Sequence, residues 1–342
     1  MRKGLIAILA VFGGLSQSQA LELSGAITGY GFYTDNRTDE KKARYDVGSA
    51  LLSLSKPAEP IGFTLRGGAY AFPVVGVGIL KTSQATDLFS PLPVAYLELV
   101  PAKGLSLQVG KLPTIFGYES AFTYLNHYIQ RGLIWNMQPV INHGIRVNYT
   151  SELFFLKVGL NDGFYTLSTS NPKPAIEGSI GITPTKDSSF YFNFILPDKG
   201  SKPNPTANPA NKREFNLIAT YTFGSLSLGG DIMFVEAPED ATAQVPEKAR
   251  ATAGCIHMSY HLKPITVSGR IEYVKDDSDV GGLDLVGLGD GNRGWTFTLT
   301  PAYRKGSILL RGEVSYVRAD NPFTLNNKKN QTRLGIEVGW VF

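Results

Sequence analysis

Apolar and polar residues alternate through most of this 342-residue chain, in separate segments of roughly ten residues. In the last of them, RLGIEVGWVF at 333–342, every second residue is apolar, which is the period of a β-strand with one apolar face. Segments of this length, separated by turn residues, are typical of the strands of a transmembrane β-barrel. We predict sixteen strands, at approximately 23–34, 42–55, 60–72, 91–100, 105–112, 143–150, 153–162, 174–184, 188–197, 213–223, 226–236, 249–262, 264–275, 293–305, 307–318 and 332–342.

The connections between these segments alternate in length. The short ones include PAKG (101–104), GS (224–225) and RKGS (304–307). The long ones span 73–90, 113–142, 198–212, 237–248, 276–292 and 319–331. Outer-membrane barrels have tight turns on the periplasmic side and long loops on the outside. The pattern therefore predicts an all-β, antiparallel transmembrane barrel with an even number of strands and both termini on the periplasmic side.

A soluble two-sheet sandwich shows the same alternation, so the N-terminus matters for the choice between the two folds. The first 20 residues combine a basic start, an apolar run over 5–15 and a small-residue cleavage site that ends at Ala20. This is the pattern of a secretory signal peptide, and the apolar run is too short to cross a bilayer as a helix. We expect residues 1–20 to be cleaved and residues 21–342 to form a single barrel domain.

Charge and cysteine content narrow the function classes further. Removing Arg2 and Lys3 with the signal peptide leaves 31 Lys and Arg against 29 Asp and Glu, which offers no basic stripe for a nucleic-acid partner. The single cysteine, Cys255, cannot form a disulfide within the chain. Nothing in the sequence implies a cofactor or a metal site.

The C-terminal strand carries a second kind of information. Its alternating apolar residues, which end on an aromatic residue, are similar to the C-terminal signal that the barrel assembly machinery of the outer membrane reads. We predict this role for Leu334, Ile336, Val338, Trp340 and Phe342. An aromatic residue at the end of the strand also suits the membrane interface.

Residues 107–150 read LQVGKLPTIFGYESAFTYLNHYIQRGLIWNMQPVINHGIRVNYT, and VGLNDGF follows at 158–164. The pattern GK-P-x-x-F-G-x-E, the loop residues Asn126 and Arg131, and the return through Q-P-x-x-x-H-G-I-R-x-x-Y resemble the β-barrel porins of the OmpL-like type. The resemblance covers roughly 107–164 and the general strand pattern. The resemblance implies a pore in the outer membrane and does not indicate a particular substrate.

Charged residues recur on the face opposite to the apolar one, which in a barrel of this size faces a wet lumen. The basic ones are Arg66, Arg146, Lys157, Arg270, Arg304, Arg311 and Arg333, and the acidic ones are Glu98, Glu177, Asp231, Glu272, Glu313 and Glu337. Their near balance predicts no strong ion selectivity from total charge, although charges at the narrowest point matter most. Arg304, Arg311 and Arg333 either form a basic patch on one wall or pair with Glu313 and Glu337 to hold the wall together.

The long connection at 113–142 is a candidate for a constriction. Its segment ESAFTYLNHYIQR, residues 119–131, predicts a short amphipathic helix. The residues at helical spacing are Ala121, Tyr124, Leu125 and Tyr128. We expect the loop to fold into the barrel because its aromatic residues need burial, the alternative being a loop above the membrane or against a neighbour. Glu119 and Arg131 would then be constriction charges.

A hydrolase is the alternative function from another class. The segment HMSYH places His257, Ser259 and His261 on the lumen face, with Asp231 or Glu272 as a candidate orienting acid. The two histidines are about 13 Å apart along an extended strand and cannot share one metal ion. The other reading is polar lining near the periplasmic mouth.

The function that we predict is an outer-membrane porin, not an enzyme, through which small hydrophilic solutes and ions diffuse passively. A plugged structural or adhesion barrel is a further alternative, which predicts no conductance. The expected partners are outer-membrane lipids, the barrel assembly machinery and the solutes themselves. The oligomeric state stays open because lipid-facing and subunit-facing residues look alike.

Overall fold

The computed structural model describes residues 20–39, 41–164, 174–196, 212–239, 248–278 and 283–342. Except for Ala20, the predicted signal peptide lies outside these ranges.

Sixteen antiparallel strands follow one another in chain order and close into a barrel. Each predicted segment is a strand, and no boundary differs from its prediction by more than about three residues. The bounds are β1 Glu22–Thr34, β2 Ala43–Lys56, β3 Ile61–Tyr70, β4 Val94–Ala102, β5 Leu105–Pro113, β6 Ile141–Thr150, β7 Phe154–Asn161, β8 Ala175–Thr185, β9 Ser188–Leu196, β10 Arg213–Phe223, β11 Leu226–Ala237, β12 Ala249–Leu262, β13 Ile265–Asp276, β14 Arg293–Lys305, β15 Ile308–Ala319 and β16 Asn330–Val341. The predicted fold class is confirmed.

Closure joins the first and last strands. The register sets Gly29 of β1 opposite Val338 of β16. At the end of the seam, the Gly25 amide donates to the carbonyl of Phe342 at 2.9 Å, and the Phe342 amide donates back at 3.0 Å. Because the hydrocarbon of a bilayer offers no partner for backbone N–H and C=O groups, a closed barrel is the form in which strands can cross it.

The two faces of the wall differ as the alternation predicts. Every strand carries large, apolar and exposed residues on its outward face, as Leu217, Phe297 and Ile336 illustrate. Inward-facing residues are small, polar or charged, and many of them are buried. The exposed apolar belt therefore suits contact with lipid. The burial of polar residues on the inner face shows that another part of the chain, the loop at 114–140, packs against them inside the barrel.

Within the described ranges, short turns lie at one end of the barrel and the long connections 71–93 and 114–140 begin at the other. The predicted long connections 198–212 and 237–248 fall mostly outside the described residues. At the short end, Gly104 has φ of 79°, and a Cβ there would lie 2.4 Å from the carbonyl oxygen of Thr150, so the turn requires glycine. At the other end, loop 2 (residues 71–93) carries helix α1, Thr82–Phe89. No helix within the described ranges is long and apolar enough to cross a membrane.

Candidate functional site: loop 3 and the passage beside it

Loop 3, residues 114–140, lies inside the barrel against the wall formed by β13 to β16. The carboxylate of Glu313 on β15 accepts hydrogen bonds from the backbone amides of Ile129 at 2.6 Å and Gln130 at 3.1 Å. The hydroxyl of Tyr128 donates to the carbonyl of Gly269 on β13 at 2.6 Å. These contacts show that the loop folds inward, as expected from its aromatic content.

Loop 3 does not contain the short helix predicted for 119–131. Two short 3₁₀ segments form instead, Thr123–Leu125 and Leu133–Met137. The reason is that the wall takes the backbone groups that a helix would use: Arg311 on β15 donates to the carbonyls of Thr123, Asn126 and Tyr128, at 2.7 to 3.1 Å. Of the four residues at helical spacing, three are buried and Leu125 is exposed.

Glu119 and Arg131 do not stand in open space as constriction charges. Glu119 accepts from Nη1 of Arg270 at 2.5 Å and from the amide of Gly132 at 2.7 Å. Burial raises the pKa of Glu119 to about 7, although Arg270 opposes this by favouring the carboxylate. The geometry makes Glu119 an anchor of loop 3 rather than a free charge.

Arg131 joins loop 3 to loop 2. Its guanidinium donates to the carbonyls of Ser120, Ala121 and Ala71, and its side chain is fully buried. Its backbone forms an isolated bridge with Val74. Burial lowers the pKa of Arg131 to about 10, because the charged form loses its hydration.

Arg311 and Arg333 are buried against the loops, so they do not form an open basic patch. Nε of Arg311 lies 2.8 Å from the carboxylate of Glu337. Arg311 therefore pairs with a wall carboxylate, which is the second of the two arrangements that the sequence leaves open. Arg333 donates to Thr34 at 3.0 Å and to the side chain of Gln130 at 2.7 Å. Its guanidinium also donates to two carbonyls of loop 2.

Arg304 is separate from this group. It lies on the same strand face as the other lumen residues but at the periplasmic end of β14, where its side chain is exposed. Residues on the lumen face therefore differ in depth, and Arg304 does not join Arg311 and Arg333.

The remaining charges on the loop-3 wall are also paired. Oε1 of Glu272 accepts from the amide of Ile134 at 3.2 Å, and its other oxygen accepts from Thr296. Nε of Arg270 lies 3.5 Å from the Glu272 carboxylate, and Nη2 donates to Thr298 at 3.1 Å. Five charged wall residues thus hold loop 3 or one another: Arg270, Glu272, Arg311, Glu313 and Glu337.

Across the lumen, two pairs lie away from loop 3. Arg146 on β6 and Glu177 on β8 form a buried ion pair, with Nε 2.6 Å from the carboxylate. Glu98 on β4 accepts a hydrogen bond from Gln108 on β5 at 3.0 Å. Both pairs join strands and are held within the wall.

A cavity of about 470 Å³ lies between loop 3 and the strands from β3 to β10. Arg66 on β3 and Lys157 on β7 both line it, and both are partly exposed. Its polar lining also includes Ser179, Asn193 and Thr220. The described residues therefore leave space for a solute on this side of the lumen.

Ser259 is not part of a triad in this arrangement. Its hydroxyl lies 2.8 Å from the hydroxyl of Ser268, while His257 is 3.2 Å from Sγ of Cys255. His261 contacts Ser227 and lies near the periplasmic mouth. The three residues share the lumen face as predicted, but the side chains needed for nucleophilic activation are not brought together.

Several residues of the site gave no recognisable signal in the sequence. The ring of Tyr118 stacks on His257 with 4.1 Å between ring centroids, and a Cβ at Gly229 would lie 2.4 Å from that ring. The amide of Tyr118 donates to Asp231 at 2.9 Å. Gln130 bridges the wall charges, as described above. The sequence identifies Asp231 and His257 by their place on the lumen face, whereas it gives no such signal for Tyr118, Gly229 or Gln130.

The family match and the structural neighbours agree with this architecture. A family model described as "Putative beta-barrel porin-2, OmpL-like" matches residues 20–342. No curated protein matches the chain in sequence.

Among solved structures, the channel DcaP of Acinetobacter baumannii is 13% identical with a TM-score of 0.64, over 94% of this chain and 97% of that one. The anion-selective porin from Comamonas acidovorans is 12% identical with a TM-score of 0.63, over 94% and 99%. The trimer form of OmpT from Vibrio cholerae is 13% identical with a TM-score of 0.62, over 95% and 100%. At such identities the likeness shows the shared barrel fold.

The family match extends over every strand of the closed barrel, and the lumen keeps a space beside its inward-folded loop. The chain therefore belongs to the OmpL-like β-barrel porin family of the outer membrane.

Proposed function

We propose that small hydrophilic solutes and ions diffuse passively through this porin along the passage between loop 3 and the strands β3 to β10. The observation that carries the proposal is the cavity beside loop 3, with its partly exposed charged and polar lining. Loop 3 fills the opposite side of the lumen, where its contacts with β13 to β16 are buried.

The charged residues divide into two roles under this proposal. Arg66 and Lys157 meet the solute, because both are partly exposed and line the cavity. Glu98 stays in the wall through its hydrogen bond with Gln108. The anchoring residues are Glu119, Arg131, Arg270, Glu272, Arg311, Glu313, Arg333 and Glu337. Arg146 belongs to the wall through Glu177. A charge therefore affects conduction according to whether loop 3 covers it.

We further propose that the C-terminal strand is the segment that the barrel assembly machinery recognises, and that residues 1–20 are removed on export. On the outer face, Leu334, Ile336, Val338, Trp340 and Phe342 are all exposed in one row. The rings of Trp340 and Phe342 lie 4.4 Å apart between centroids. Homo-oligomers are consistent with the trimeric form recorded for one structural neighbour. We assign no catalytic role to Ser259.

Single-channel recording tests the proposal. Residues 21–342 are refolded in detergent, their folding is checked by the heat-dependent shift of the barrel on gels, and the protein is added to a planar bilayer. The proposal predicts steady, ohmic current steps in potassium chloride. A correctly folded barrel that gives no steps would favour a plugged barrel and would overturn the proposal.

A further inference from the structure

The passage beside loop 3 is lined by two cations, Arg66 and Lys157. Among the described residues, neither forms an ion pair with a carboxylate, and Nε of Arg66 has no hydrogen-bond partner. Glu177, the carboxylate whose charge acts on Lys157, is already paired with Arg146 at 2.6 Å. Glu119 is the one carboxylate in the described lining, and Arg270 matches its charge at 2.5 Å. The passage is therefore basic, although the lumen as a whole is nearly balanced.

Both cations lie beside aromatic rings. Cζ of Arg66 is 4.8 Å from the centroid of Phe122, and Nζ of Lys157 is 5.4 Å from that of Phe155. Phe155 in turn packs against Tyr191, with 5.2 Å between their ring centroids. Phe122 is buried, whereas Phe155 and Tyr191 are partly exposed and offer planar apolar surface next to the Lys157 charge, where a flat apolar group can stack.

The size and composition of the cavity suit a small organic ligand. Its volume of about 470 Å³ falls within the range of ligand sites, which are mostly apolar with a few placed polar groups. A carboxylate can form ion pairs with Arg66 and Lys157, and an aromatic ring can stack on the aromatic side chains of the cavity. An inorganic anion would leave the rings without a partner, and a neutral aromatic solute would leave the charges unpaired.

We propose that this cavity is a binding site for small aromatic carboxylates, which meet the Arg66 and Lys157 charges with their carboxylate and the Phe155 and Tyr191 rings with their body. The site rests on the proposed diffusion function and names the solute class that the passage favours. Binding is weak, because a channel must release the solutes that it admits.

The test uses benzoate as the probe, with acetate as the charge without the ring and benzyl alcohol as the ring without the charge. Isothermal titration of refolded 21–342 in detergent measures binding without reference to conduction. We expect benzoate to bind at least tenfold more tightly than either partial probe. Equal affinities for the three probes, or no binding of benzoate up to the highest soluble concentration, would overturn the site.

Variants locate the binding within the passage. Arg66→Gln and Lys157→Gln should each weaken benzoate binding about tenfold, because each removes a charged partner. Arg304→Gln removes the same charge at the exposed periplasmic end and should leave the affinity unchanged. Phe155→Leu should lower the affinity for benzoate and leave that for acetate unchanged. An effect of Arg304→Gln as large as those of the other two would place the interaction outside the passage and contradict the proposal.

Current recording separates the site from the function on which it rests. Benzoate should interrupt the open-channel current at lower concentrations than acetate, and the interruptions should be lost in Lys157→Gln. If the protein gives current steps but does not bind benzoate, the proposed binding site is overturned and passive diffusion still stands. Benzoate binding to a barrel that carries no current would overturn passive diffusion and leave the binding chemistry intact.

Discussion

Arg270 and Glu119 are 151 residues apart in the chain, and their charged groups meet at 2.5 Å inside the barrel. The first lies on β13 and the second on loop 3, so this pair fastens the loop to the wall. Both side chains are almost fully buried. A buried pair of this kind is costly to break from one side, because the remaining charge loses its partner.

Arg270→Met should release loop 3 from the wall. The change leaves Glu119 buried without its cation, at a cost of about 3 kcal/mol. Hydrogen exchange at the loop-3 amides, Gly132 above all, should become about a hundredfold faster at pH 8. Arg304→Met is the matched control and should change nothing. Unaltered exchange in Arg270→Met would show that other contacts hold the loop.

The hold on loop 3 should depend on pH through Glu119. The pKa of Glu119 is raised to about 7 in the folded protein, so the folded form binds this proton more tightly than the unfolded form does. Its contribution to stability is therefore complete below pH 4.5, the ordinary value for glutamate, and is lost as the pH rises from there through about 7. Exchange of the Gly132 amide, corrected for its intrinsic pH dependence, should speed up between about pH 5 and about pH 7 and level off above that. In Glu119→Gln that slope should disappear, and a slope that persists would contradict the assignment.

Gln130→Leu should weaken the link between loop 3 and two wall strands. The side-chain amide of Gln130 donates through Nε2 to Glu313 at 2.8 Å and accepts through Oε1 from Arg333 at 2.7 Å. Leucine therefore leaves both buried charges without one hydrogen-bond partner. The expected loss is about 1–3 kcal/mol in the free energy of unfolding. Denaturant unfolding monitored by tryptophan fluorescence measures it. Leu125→Gln, at an exposed position of the same loop, serves as the control, and an equal effect there would refute the bridging role.

Phe342→Ala should reduce assembly of the barrel in cells. Phe342 is exposed on the outer face and ends the row of apolar residues on β16, where the proposed assembly signal lies. Folded protein in the outer membrane, measured by heat-modifiable mobility, should fall several-fold. Phe223→Ala removes another exposed aromatic residue at the periplasmic end and should have little effect. Comparable losses for both variants would indicate a general need for interfacial aromatic residues.

The strands could be predicted from the sequence because lipid imposes one rule on every strand. Outward residues that meet the hydrocarbon are mostly apolar and each backbone group there must be paired, so the period of two appears in all sixteen segments. The ends of the strands follow from turn residues close by in the chain. The strand pattern of the fold can therefore be predicted from residues that are close together in the sequence.

The course of loop 3 is decided by residues far away in the chain. Helical spacing over 119–131 predicts a helix, but the guanidinium of Arg311 takes the carbonyls that the helix would need. Strand parity likewise identifies Arg304 and Arg311 as lumen residues without revealing that loop 3 covers only Arg311. Local patterns thus predict the direction of a side chain and leave its depth and cover undetermined.

The central claim is that solutes pass between loop 3 and the wall from β3 to β10, and thiol modification during single-channel recording tests it most directly. In a Cys255→Ala background, Thr220→Cys places a thiol in the lining of the passage, and Thr298→Cys places one behind loop 3 beside Arg270. A negatively charged methanethiosulfonate reagent should reduce the current stepwise at position 220 and leave it unchanged at position 298. Block at 298 with no effect at 220 would put the pathway on the other side of loop 3 and contradict the account.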